Sequence, residues 1–263
     1  MAPFAFLDHP GPIAFAHRGG SLEAPENTAA SFLHAYELGY RYIETDVHVT
    51  TDGVVAVIHD PDLDRTADRP GHVPAMTWAQ VSAARLPGDQ RVMRIDEVLE
   101  EWPDVRFNID TKHDAVVEPL AEVLRRTGAI ERVCITSFSD RRVARMRRLL
   151  GPSLCTAAGP RGTAALRLAS AAPGTGVAAA LVRPAWSGCA AAQVPTSQGP
   201  VPIVEPRFIA WCHRAGLAVH VWTIDDRGEM DRLLDLGVDG IMTDRPAVLK
   251  ELLEARGQWV GRP

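Results

Sequence analysis

The chain has 263 residues, 46% apolar and 23% charged, and carries 28 basic against 33 acidic side chains for a net charge of −5. That composition excludes a mainly disordered protein. It also lacks the surplus of Lys and Arg that holds proteins on phosphate backbones, so no nucleic-acid partner is expected.

Residues 1–12 have no basic run and carry Asp8, His9 and several prolines, which does not resemble a signal peptide. No stretch of about 20 apolar residues is free of charge, Pro and Gly, so no integral membrane association is expected. Cys134, Cys155, Cys189 and Cys212 form no CxxC pair and sit mostly in apolar runs. They read as reduced thiols, and a cytoplasmic location is expected.

A short apolar run at 13–16 ends in His17-Arg18-Gly19-Gly20 and reads as the first strand. Asn27 or Thr28 then caps a helix with the stripe Phe32, Leu33 and Tyr36, stopped by Gly39. Residues 42–47 read as a strand. A further run, 54–59, follows after only Thr50-Thr51-Asp52-Gly53. Four residues cannot make a parallel crossover, and Asp-Gly favours a tight turn, so the two runs form an antiparallel hairpin. The hairpin brings His59 opposite the neighbourhood of Asp46. Residues 60–95 read as a short insertion of turns and a small helix.

Further strands are expected near 106, 133, 154, 191, 219 and 239. The helices between them are capped by Asp114, Asp140 and Asp226, and Pro246 opens the last. Arg141, Arg142, Arg145, Arg147 and Arg148 read as the wet face of one helix over Val143, Met146, Leu149 and Leu150. The Ala-, Gly- and Pro-rich stretch 158–190 reads as small helices. Eight strands, mostly followed by helices, predict an α/β fold: a closed (β/α)8 barrel forming one domain over 1–263, with the hairpin and insertion added after its second strand.

Chemistry in such a barrel sits at the C-terminal ends of the strands. His17 and Arg18 end the first. Glu44 and Asp46, two apart, share one face at the end of the second. Asp110 ends the next, with Asn108 and Lys112 in the same parity. Three acids converging on one pocket call for positive charge. A hard divalent cation supplies it through oxygen ligands, and salt bridges to Arg18 and Lys112 supply it equally well. Two histidines beside two cations suit phosphate chemistry, one as base and one as acid. His48 reads as solvent-exposed, His113 as helix-start surface, and Asp244 as a helix cap.

The runs FAHRGGSLEAPENTAASF and YIETDVHVTTDGVVAVIHDPDLDRT resemble the glycerophosphodiester phosphodiesterase family, as do NIDTK at 108–112, VWTIDD at 221–226 and GVDGIMTDRP at 237–246. The resemblance implies metal-dependent hydrolysis of a small-molecule glycerophosphodiester to glycerol 3-phosphate and an alcohol. It implies His17 and His59 as the catalytic pair, and Glu44, Asp46 and Asp110 as ligands of one divalent cation, Mg2+ or Ca2+, with Mn2+ a further candidate. Arg18 and Lys112 would bind phosphate, and Trp222 would wall the pocket. Asp110 stands where the family usually has Glu, one methylene longer. Two alternatives stay open: a lysophospholipase D or sphingomyelinase-D-like lyase acting on lipids, and a phosphate-binding barrel without catalysis.

Overall fold

The computed structural model describes residues 4–171 and 183–261. Eight strands form the barrel wall: β1 (Ile13–His17), β2 (Tyr42–Val49), β5 (Arg106–Thr111), β6 (Val133–Thr136), β7 (Cys155–Thr156), β8 (Ala191–Val194), β11 (Ala218–Val221) and β12 (Gly240–Thr243). All pair in parallel in the order β7-β6-β5-β2-β1-β12-β11-β8, and an Ala157–Ala191 bridge joins the two ends. Each of the eight expected strands is found.

Beside the wall lies an antiparallel extension. β3 (Val55–Val57) pairs with the end of β2, with Val47 opposite Val57, and β4 (Met93–Arg94) pairs in turn with β3. The strand β4 was not legible, because two residues carry no periodicity. Between β3 and β4 the insertion holds the short helix α2 (Trp78–Ser82). It has its own apolar cluster, built on Ile58, Leu63, Val73, Val81 and Leu86. A two-stranded hairpin, β9 (Ser197–Gln198) with β10 (Val201–Pro202), follows β8.

The outer helices are α1 (Ala29–Glu37), α3 (Ile95–Glu101), α4 (Val117–Arg126), α5 (Asp140–Leu150), α6 (Pro160–Ala171), α7 (Pro206–Arg214), α8 (Arg227–Leu236) and α9 (Pro246–Ala255). Thr28 caps α1 through a reciprocal box with Ser31. Leu33 is 48% exposed, so the buried stripe of α1 is Phe32 with Ala35. Ser139, not Asp140, caps α5; Asp140 instead accepts from the amides of Arg161 and Gly162 at the start of α6. Asp114 opens a 3-10 turn ahead of α4. The Arg-rich face of α5 is only partly wet: Arg142 donates to the Thr111 carbonyl, and Arg147 to Thr156 Oγ1 and Cys189 Sγ. The expected small helices of 158–190 appear as α6 and a 3-10 turn at Arg183–Ala185; residues 172–182 lie outside the described part.

The main core lies between strands and helices, where β-branched and aromatic residues leave water. Inside the barrel, Phe15, Tyr42, Cys134, Cys155 and Met242 form a second layer. Phe6, from the 3-10 turn Ala5–Leu7, plugs the N-terminal end, its ring 5.2 Å from Tyr42. The C-terminal end stays open. All four cysteines are free thiols. Among the described residues no helix is long and apolar enough to cross a membrane.

Candidate active site

The open end of the barrel leads into a cavity of about 680 Å³ lined by His17, Arg18, Glu44, Asp46, His59, Asp110, Lys112 and Trp222. The structure therefore gathers every residue singled out from the sequence. Register explains it. Glu44 pairs with Asn108 and Asp46 with Asp110 across β2 and β5, while His17 pairs with Glu44 across β1 and β2. The hairpin delivers His59, since the Ile58 amide donates to the Asp46 carbonyl at 3.0 Å.

The His17-Arg18-Gly19-Gly20 turn has a steric reason. Gly19 and Gly20 adopt positive φ, and a Cβ on them would lie 2.5 Å from Ser31 Oγ and 2.6 Å from Pro246 Cγ respectively. Arg18 itself sits at φ 52°, a conformation uncommon for a side-chain-bearing residue. That bend turns its guanidinium toward Glu26 (3.1 Å) and Asp46 (3.3 Å).

Each histidine has a carboxylate on Nδ1. His17 Nδ1 lies 2.7 Å from Asp244 Oδ1, and His59 Nδ1 lies 2.5 Å from Asp60 Oδ1. Such pairs fix the ring orientation and leave Nε2 for substrate. Burial works against a charged His17, but Glu44 and Asp244 outweigh it and hold the imidazole above its usual range. Asp60 resists its own partial burial through Arg65 and His59, which draw its carboxyl down to about 2. Arg65 also grips Glu26, so a chain of ion pairs runs Arg18–Glu26–Arg65–Asp60–His59.

Lys112 Nζ sits 2.7 Å from both Asp46 Oδ1 and Asp110 Oδ2. Asn27 Nδ2 donates to Asp46 Oδ2 at 3.0 Å. Lys112 and Arg18 overcome the burial of Asp46 and keep it ionised. Glu44 differs: burial first, and Asp46 second, push its carboxyl up to about 8. Burial also raises Asp110, whose Oδ1 is buried with no hydrogen-bond partner. Three carboxylates thus face two cations. Among the described residues no three His, Cys, Asp or Glu side chains already converge as a metal-binding group. The donor chemistry nevertheless fits a hard cation: uncompensated, buried carboxylate oxygens and no thiolate.

Three residues take roles other than those expected. Asp244 does not cap α9; it orients His17, which needs β1 and β12 to be neighbours. His48 is 3% exposed, not solvated, and His113 is half-buried with its ring 5.1 Å from that of His48. His48 Nε2 donates to the His59 carbonyl at 3.0 Å, pinning the backbone that carries His59. Burial lowers His48 to about 4, so it stays neutral in this role. Asp60, Glu26 and Asn27 were not singled out, although the His-Asp dipeptide at 59–60 was a visible signal. If His48 works through His59, His48→Leu lowers kcat roughly ten- to hundred-fold with KM little changed, and His48→Gln, which keeps an N–H donor, recovers most of it. Steady-state kinetics on both variants checks this; equal losses would contradict it.

The far side of the cavity is apolar. Trp222 meets Phe138 edge-on at 5.9 Å, and Pro195, Ile203 and Met242 continue the wall.

Comparison with known proteins agrees with this geometry. The model of the glycerophosphoryl diester phosphodiesterase family matches residues 17–248. A Mycobacterium tuberculosis protein named "Probable glycerophosphodiester phosphodiesterase 2" is 39% identical over 97% of this chain and 96% of its own length. The crystal structure of a glycerophosphodiester phosphodiesterase from Agrobacterium tumefaciens superposes with a TM-score of 0.76 at 25% identity, covering 92% of this chain and 99% of that one. A phosphodiesterase of Oleispira antarctica, solved in complex with the product sn-glycerol-3-phosphate, gives 0.76 at 20% identity over 93% and 97%. By its barrel, its clustered site and these matches, the chain belongs to the glycerophosphoryl diester phosphodiesterase family.

Proposed function

We propose that the chain hydrolyses glycerophosphodiesters to glycerol 3-phosphate and an alcohol, with His17 and His59 as its acid–base pair. The observation that carries this is the pairing of two carboxylate-oriented histidines with two cations, Arg18 and Lys112, around one cavity. The phosphate rests between Arg18, whose fork suits two oxygens, and Lys112. His17, the deeper histidine, takes the proton of the attacking oxygen. A bond forms from that oxygen to phosphorus as the bond from phosphorus to the alcohol oxygen breaks. His59, whose side chain is 31% exposed at the margin, gives its proton to the departing alcohol. The attacking oxygen is water or the glycerol 2-hydroxyl. The latter is already tethered and gives a cyclic phosphate that water then opens.

Glu44 and Asp46, with Asp110 as third ligand, would hold one divalent cation, Mg2+ or Ca2+. Such an ion neutralises negative charge that develops on the phosphate oxygens. A binder without catalysis would have no use for a carboxylate behind each histidine. The reading is tested by phosphorus NMR of glycerophosphocholine, glycerophosphoethanolamine and glycerophosphoglycerol with EDTA, Mg2+, Ca2+ or Mn2+. Glycerol 3-phosphate appears only with metal, and absence of turnover under every metal overturns the proposal.

A further inference from the structure

Exposed large apolar side chains are normally scattered singly over a protein surface. Here Phe138, Leu168 and Val201, exposed by 67%, 68% and 50%, all line the mouth of one cavity. They come from three separate elements: the loop after β6, helix α6 and hairpin β9–β10. Only two other large hydrophobics among the described residues, Leu22 and Leu33, are comparably exposed, and neither lines the cavity.

The strand order divides the cavity in two. Its charged groups come from the adjacent strands β1, β2 and β5 and the hairpin beside them; the opposite arc, from β6 round to β11, is apolar. The one ionic side chain lining that arc, Arg167, is committed to Glu205 Oε2 at 2.9 Å and the Pro202 carbonyl at 3.1 Å. No carboxylate lines that arc among the described residues, so nothing there selects an ammonium headgroup. The Phe138 and Trp222 rings meet at 76°, edge to face, and do not form a box of parallel faces for a cation. A volume of about 680 Å³ is that of a pocket for ligands well beyond glycerol phosphate.

We infer that the apolar arc, rimmed by Phe138, Leu168 and Val201, is a subsite for a hydrocarbon chain carried by the phosphodiester. This rests on the proposed diesterase reading and deepens it. The chain is borne either by the leaving alcohol or by the glycerol, as in a lysophospholipid, and two substrate series separate these sources. One is glycerophosphoryl n-alkyl alcohols from methyl to octyl. The other is 1-acyl glycerophosphocholines from acetyl to octanoyl. All are used below their micellar concentrations.

Calorimetric Kd is measured for both series with the full-length protein in EDTA, so the result does not depend on turnover; kcat/KM is then measured with metal. Kd falls with each added methylene in at least one series, by up to about four-fold where the methylene is fully buried. The heat-capacity change of binding grows more negative along that series. In the triple variant Phe138→Ser, Leu168→Gln, Val201→Thr, whose exposed positions leave the fold intact by thermal melting, the octyl-to-methyl or octanoyl-to-acetyl ratio collapses toward one. Kd independent of chain length in both series overturns the inference, as does an unchanged ratio in the variant. Tighter binding of glycerophosphocholine than of the octyl diester overturns it in favour of an ammonium site. A chain-length slope in Kd without hydrolysis of any diester instead leaves the subsite standing and removes the diesterase reading.

Discussion

Replacing His59 by alanine lowers kcat by at least about a hundred-fold, and so does His17→Ala, the usual scale for losing a general acid or base. The argument is geometric. Each ring is held through Nδ1, His17 by Asp244 and His59 by Asp60, and both line the cavity that contains Arg18 and Lys112. The two losses are not additive, because each variant already lacks one half of a concerted proton transfer. Diesters with a leaving group that needs no protonation, such as p-nitrophenol, recover much of the rate in His59→Ala and little in His17→Ala. The same assay tests the assignment of acid and base: the opposite recovery exchanges the roles. Near-normal turnover in either variant removes that residue from the chemistry.

The second large effect concerns Glu44. Its carboxyl is raised from the ordinary 4.5 to about 8 by burial and by Asp46. A raised carboxyl favours the folded state below pH 4.5, where both states are protonated, and that contribution is lost as pH rises toward 8, where only unfolding lets the proton go. His17, raised above its usual 6.5, adds a loss of the same sign as pH rises through its folded value. In EDTA, the melting temperature therefore falls between pH 5 and pH 8. Mg2+ or Ca2+, by pairing with the ionised carboxylates, restores stability far more at pH 8 than at pH 5. Glu44→Gln flattens the EDTA profile and abolishes turnover. Melts at the two pH values, with EDTA and with each metal, decide it; a metal-independent profile would mean that Lys112 and Arg18 alone balance the cluster.

Much of this architecture was legible in the chain. Strand ends with polar residues in matched parity, as in Glu44, Asp46 and Asp110, placed the site, and the four-residue turn at Asp52-Gly53 placed His59. What escaped has a common cause. Asp244 orients His17 across 227 intervening positions, a contact that exists only because β1 and β12 are neighbours. His48 looked exposed because it lies beyond the polar end of β2, but the hairpin and His113 cover it. Asp140 looked like the cap of its own helix and serves the next one. Local pattern reveals periodicity and turns; it is blind to which distant segment arrives opposite.

The pairing of β1 with β12 also bears on how the chain acquires its chemistry. The first strand to leave the ribosome waits for the last one before its edge is covered, and Ile13 to Ala16 find their partners only in Gly240 to Thr243. Closing so long a loop is entropically slow, and until it happens β1 offers an open edge to other chains. His17 lacks its orienting carboxylate over the same interval. Catalytic competence is thus a reporter of ring closure: a nascent or truncated chain ending before residue 240 can hold a folded hairpin with His59 in place and still have no oriented base.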